Sequence, residues 1–91
     1  MEAAAYNRRM LNVAAYHFFA VDDPAELARA LREAATAAEL KGSILVAPEG
    51  LNLFLAGEDA PLRGFMEMLA GLPGVEGLQA KYSHSSRAPF G

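Results

Sequence analysis

Hydrophobic positions follow two different periods along this chain. Residues 11–21 run Leu-Asn-Val-Ala-Ala-Tyr-His-Phe-Phe-Ala-Val, rich in aromatic and β-branched residues with little polar relief, as suits a strand near the middle of a sheet. The spacing then becomes helical, with Leu27, Leu31, Ala34, Ala35 and Ala38 on one stripe. Ahead of it, Asp23 reads as an N-cap, Pro24 as the first helical residue, where a missing N–H costs nothing, and Glu26 as the partner in a capping-box-like pattern. The spacing predicts a helix to about Leu40, closed by Lys41-Gly42 with the glycine in the left-handed C-terminal position. Arg29 and Glu33 stand four apart on its outer face.

Residues 44–47 and 51–56 read as two strands joined by the compact turn Pro48-Glu49-Gly50, and Gly57 ends the second. Asp59, followed by Ala60-Pro61, caps a second predicted helix, on which Leu62, Phe65, Met66, Leu69 and Leu72 share a face until Pro73-Gly74 stops it. A last strand is expected at about residues 77–82, followed by a polar, loop-like segment to Gly91. The order β-α-β-β-α-β predicts an α+β, ferredoxin-like (split βαβ) sandwich: a four-stranded antiparallel sheet with both helices on one face. Right-handed crossovers put the first and third strands at its centre.

The chain has 91 residues, 53% of them hydrophobic, which suits one domain with a thin core. Residues 1–10 are expected to be a flexible N-terminal segment and residues 11–91 the folded domain. No apolar run approaches 18 residues, so no membrane-spanning helix is expected, and the charges of the N-terminus follow its small residues, unlike a signal peptide. Cysteine is absent, which fits a reducing cytoplasm and removes thiol nucleophiles and thiolate ligands. The net charge of −3 is the wrong sign for a nucleic-acid binder acting through overall charge. However, Arg8, Arg9, Lys81, His84 and Arg87 lie in the two terminal segments, so a local basic patch forms if those segments are neighbours; otherwise they are two solvated tails.

Candidate chemistry is sparse. His17 alternates onto one face of the first strand with Ala15 and Phe19 and reads as a satisfied sheet histidine; His84 reads as a solvated loop residue. Neither has a carboxylate at short spacing, so no metal site is expected. Serines next to His84 in sequence do not make a catalytic triad, which is defined by spatial roles. Glycines fall in neither phosphate-loop pattern. Acylphosphatases share the predicted topology and place an Asn on the hairpin, as Asn52 does here. They also need an Arg-bearing anion loop after the first strand, where this chain has Asp22-Asp23, so that activity is disfavoured. No catalytic residue and no cofactor is therefore assigned. The hairpin end remains, with Glu49 in the turn and Asn52 opening the returning strand. Asn52 either locks the hairpin through its own backbone or faces a partner. Lys81 is a second contact candidate, beside a tail that carries Arg87.

Several segments carry a family resemblance: Tyr16-His17-Phe18-Phe19 with Asp23-Pro24, then Ile44-Leu45-Val46-Ala47-Pro48-Glu49-Gly50-Leu51-Asn52 with Ala56-Gly57, then Lys81-Tyr82-Ser83 with Pro89-Phe90-Gly91. Together they resemble the N-terminal domain of the rhodanese-related tRNA uridine-34 hydroxylase family, formerly grouped as rhodanese-like putative sulfurtransferases. The resemblance covers residues 11–91. It implies a ferredoxin-like (acylphosphatase-like) domain followed in the parent protein by a rhodanese domain whose Cys is needed for activity. The parent's reaction would be oxygen-dependent 5-hydroxylation of the wobble uridine of tRNA.

On this resemblance the chain lacks the rhodanese domain and is expected to be non-catalytic alone, as an isolated domain or a truncated gene product. Its expected partners are the rhodanese domain of its own parent and tRNA. The expected contact surface is Glu49, Gly50, Asn52, Lys81 and Arg87. The rival readings are a standalone binding or assembly module, dimerising through an open sheet face to which Tyr16 or Phe18 projects, and part of a sulfurtransferase.

Overall fold

The structure, a computed structural model, describes residues 10–85. Its elements are β1 (Met10–Phe18), α1 (Pro24–Ala37), β2 (Lys41–Ala47), β3 (Gly50–Gly57), α2 (Asp59–Ala70) and β4 (Gln79–Ser85). The strands form one sheet in the order β2-β3-β1-β4, and each neighbouring pair is antiparallel. The expected ferredoxin-like sandwich is thus present, with β1 and β3 at its centre.

Alternation in the strands explains how the helices attach. Leu11, Val13 and Ala15 of β1, Leu51, Leu53 and Leu55 of β3 and Ile44 of β2 turn one way and are buried. Onto that face α1 lays Leu31 and Ala35, and α2 lays Leu62, Phe65, Met66 and Leu69. Leu27, Ala34, Ala38 and Leu72, the other members of the expected stripes, are partly buried against the same cluster. No buried residue is polar or charged among the described residues, so hydrophobic burial alone closes this core.

The caps behave as local chemistry requires. Asp23 accepts from the Glu26 backbone N–H at 3.2 Å, with Pro24 next to it. The Glu26 carboxylate, however, turns to Arg29 at 2.7 Å rather than back to the cap, and Glu33 takes the other side of that guanidinium at 3.2 Å. β1 ends at Phe18 rather than Val21, β2 begins at Lys41 rather than Ile44, and three further boundaries differ from expectation. The first helix stops at Ala37, and Glu39, at φ 60, takes the left-handed position expected of Gly42. Gly42 instead lies within β2, where a side chain would collide with the Phe54 carbonyl. Glu58 takes the N-cap position of the second helix without a side-chain capping hydrogen bond, and Asp59, in the first turn, pairs with Arg63 at 2.7 Å.

The third difference concerns the tail. The last strand runs on to Ser85 because Met10 to Tyr16 of β1 offer it a continuous register, from Met10 opposite Ser85 to Tyr16 opposite Gln79. His84 is therefore an exposed strand residue beside Leu11, 3.5 Å from Asp59, rather than a loop residue. Residues 1–9 and 86–91, which include Arg8, Arg9 and Arg87, lie outside the described residues.

Candidate functional site: the hairpin end and the open sheet face

Both helices cover one side of the sheet, and the alternate residues of every strand form the other side. Paired residues point the same way, so the register lays this face out as rows running from β2 to β4. One row holds Leu45, Asn52, Tyr16 and Gln79; the next holds Ser43, Phe54, Ala14 and Lys81; a third holds Lys41, Ala56, Asn12 and Ser83. At the hairpin end Ala47, Gly50 and Phe18 complete it. The apolar members of this face are far from buried: Tyr16 is 50% exposed, Phe54 51%, Leu45 62% and Phe18 77%. Tyr16 and Phe18 meet edge to face at 5.9 Å between ring centroids.

The hairpin turn is fixed by backbone groups. Phe19 N–H donates to the Glu49 carbonyl at 3.0 Å, and Val21 N–H donates to the Pro48 carbonyl at 2.9 Å, which ties the turn to the chain leaving β1. That closeness explains Gly50: its φ is 153, and a Cβ there would collide with the carbonyl oxygen of His17. Gly50 therefore has a structural task that the sequence reading did not assign to it. The side chains of Glu49 and Asn52 are exposed and make no hydrogen bond or ion pair among the described residues. Asn52 points to the open face beside Tyr16 and Leu45 and does not lock the turn through a side-chain hydrogen bond. Phe18, Leu45, Val46, Ala47, Glu49 and Asn52 border a shallow depression of about 190 Å³ at this end.

Four of the five expected contact residues fall in the described region, and they split. Glu49, Gly50 and Asn52 gather at the hairpin end. Lys81 shares the open face with Asn52 but stands two strands away and two residues along, about 12 Å by strand spacing and rise. Arg87 lies outside the described residues. Phe54 and Leu45 were missed as site residues, although a signal was present: alternation through Leu51-Asn52-Leu53-Phe54-Leu55 puts Phe54 on the same side as Asn52.

Electrostatics separate this face from the helices. Among the described residues, Glu26, Glu33, Glu67, Asp59 and Glu58 lie on or at the ends of the helices, and Asp22, Asp23, Glu39, Glu49 and Glu76 lie in connections. No strand position of the open face carries an acid; Lys41 and Lys81 are its charges. Arg29 and Arg63 are engaged by carboxylates on their own helices, and Arg32 donates to the Ile44 carbonyl at 2.8 Å. Hydrogen bonding to Arg29 lowers the Glu26 pKa, and hydrogen bonding to Arg63 lowers that of Asp59, so both stay ionised on the helix side. His17, on the covered side, places Nε2 2.9 Å from the Gly74 carbonyl, which can only accept, so this nitrogen carries the proton in that contact. No group of three or more His, Cys, Asp or Glu side chains is placed to hold a metal among the described residues.

Residues 10–91 match the family described as the UPF0176 acylphosphatase like domain. The chain belongs to that family. The tRNA uridine(34) hydroxylase of Bordetella parapertussis is 46% identical over 81 residues, which cover 89% of this chain and 34% of that protein. Proteins of the same name match at 46% over 79 residues in Xanthomonas campestris pv. campestris (strain B100) and at 44% over 82 residues in Cupriavidus necator. Those matches cover 87% and 90% of this chain but 31% and 29% of the relatives. The chain thus spans about a third of the length of the curated relatives it matches. The family description agrees with the βαββαβ sandwich observed here. No helix among the described residues is long and apolar enough to cross a membrane.

Proposed function

We propose that this UPF0176 domain is the non-catalytic N-terminal domain of a cytoplasmic tRNA-modifying enzyme, and that it holds tRNA for hydroxylation of uridine 34 by a rhodanese domain elsewhere in the parent chain. The open sheet face carries this reading: aromatic side chains left in water by the fold, basic charges only at its strand positions, and the free polar groups of Glu49 and Asn52 at one end. The names of the relatives supply the reaction, and the fraction of those relatives that this chain leaves uncovered supplies room for a catalytic domain. Glu49, Asn52 and Lys81 are the proposed contacts, with Gly50 shaping the turn that presents the first two. Arg87 joins them by its position six residues after Lys81 in the chain.

The test is a full-length protein carrying this domain with Glu49→Ala and Asn52→Ala together. Both side chains are exposed and unengaged, so the fold should persist while tRNA affinity and uridine 34 hydroxylation fall. Unchanged affinity and unchanged modification in a folded variant would remove the assignment.

A further inference from the structure

Resting on that reading, we propose that the open sheet face is a stacking platform for unpaired bases of single-stranded RNA. Tyr16 and Phe54 are the stacking pair, and Lys41 and Lys81 contact the phosphates. Tyr16 lies on β1 and Phe54 on β3, the two central strands, in adjacent rows of the register. Such diagonal neighbours across an antiparallel pair have Cβ atoms about 7–8 Å apart, within reach of successive splayed nucleotides. Aromatic side chains on a four-stranded sheet are an established way to hold unstacked bases, because every base has a π-face. Both rings leave surface free for a base, with Phe18 meeting Tyr16 edge to face on the hairpin side. Phe54 is flanked in its row by Ser43 and Ala14, and both rings are about half exposed. Tyr16 is flanked by Asn52, whose amide offers donors and an acceptor to base edges, and by Gln79, whose Nε2 donates to the Gly77 carbonyl at 3.4 Å and whose amide oxygen is left to accept.

Charge selects the occupant. A second copy of this chain packed on the same face would add two more lysines to Lys41 and Lys81 and bring no acid from an open-face strand position. A polyanion with flat apolar faces complements both properties of the surface. Two phosphate contacts are few for a duplex, which is held mainly through its backbone and shape, and suit a short unpaired loop.

The experiment measures binding of a seven-nucleotide pyrimidine-rich single-stranded RNA, and of the same sequence as a duplex, by fluorescence anisotropy. It uses the 91-residue chain and a full-length protein carrying this domain. Tyr16→Ala and Phe54→Ala should each weaken single-strand binding by about 5- to 150-fold, the range for one stacked base. Tyr16→Trp and Phe54→Tyr, which keep a ring, should retain binding. The logarithmic salt slope should be about −1.4 for two contacts and fall to about −0.7 in Lys81→Gln. The proposal is overturned if the alanine variants bind the single strand as the parent does, or if duplex and single strand bind alike. It is equally overturned if those variants abolish a dimer, or loosen contact with the rest of the parent chain, while RNA affinity is unchanged. If Glu49→Ala with Asn52→Ala lowers tRNA affinity and the aromatic variants do not, the tRNA-holding role stands and the stacking platform does not.

Discussion

Strand β3 passes through two environments within each pair of residues. Leu51, Leu53 and Leu55 belong to the core cluster beneath the helices and are 2–4% exposed, whereas Asn52 and Phe54, on the same backbone, face water. Burial of the first set supplies the driving force for folding at about 25 cal/mol per Å² of apolar surface. The second set adds little to that sum, yet it includes a large aromatic side chain. A fold gains nothing from leaving Tyr16, Phe18, Leu45 and Phe54 in solvent, and a cluster of them on one flat face is the kind of surface that marks an interaction site. Stability and recognition thus occupy opposite sides of one sheet, and they can be mutated separately.

Substitutions test that separation, and the largest effect is expected on the covered side. Leu53→Ala should cost about 2–5 kcal/mol, seen as a lower midpoint in denaturant, because it opens a cavity between the sheet and the helices. Gly50→Ala comes next, at more than about 1 kcal/mol, since its φ and the His17 carbonyl both resist a Cβ. That variant should also displace the turn that carries Glu49, so it is the one place where the two sides are coupled. Phe54→Ala should cost about 1 kcal/mol or less, the span of strand propensity, while producing the large loss of RNA affinity described above. A melting loss as large as that of Leu53→Ala would show that the open face is part of the fold's support and would break the comparison.

The smallest effect concerns pH. The hydrogen bond from Arg63, opposed by desolvation and aided by His84, holds Asp59 below its ordinary value of 3.8. A carboxylate depressed in the folded state contributes stability that is present above the unfolded pKa and is lost as pH falls through the folded one. Asp59→Asn should therefore flatten the melting temperature on the acid side of pH 4 and leave RNA binding at neutral pH unchanged, because Asp59 lies at the start of α2 rather than on an open-face strand.

Much of the architecture was legible in short-range signals. Asp23-Pro24 marked the start of α1, the stripe from Leu62 to Leu69 marked the buried side of α2, and Pro48-Glu49-Gly50 marked the hairpin. Each depends on residues within a few positions of one another. The end of α1 was misread because a glycine beyond a helix usually takes the left-handed position, and here Glu39 took it before Gly42 was reached. The extent of β4 was missed because its polar residues are held by pairing with β1, more than sixty positions earlier in the chain. The site was half legible: Glu49 and Asn52 stood out as polar residues among leucines, while Phe54 was hidden among apolar neighbours that face the other way.

By itself the sequence determined the order of the elements, the residues that close the core and the family, since local periodicity, caps and motifs are written in neighbouring residues. The near-continuous apolar run of β1 also placed that strand at the centre of the sheet. Only the tertiary structure decided that, among the described residues, one side of this central strand stays bare. Apolarity says that a residue gains by burial, but not whether anything in the chain is left to cover it. Among the described residues the two helices lie on one side, which leaves Tyr16 and Phe54 in water, between lysines brought in from β2 and β4.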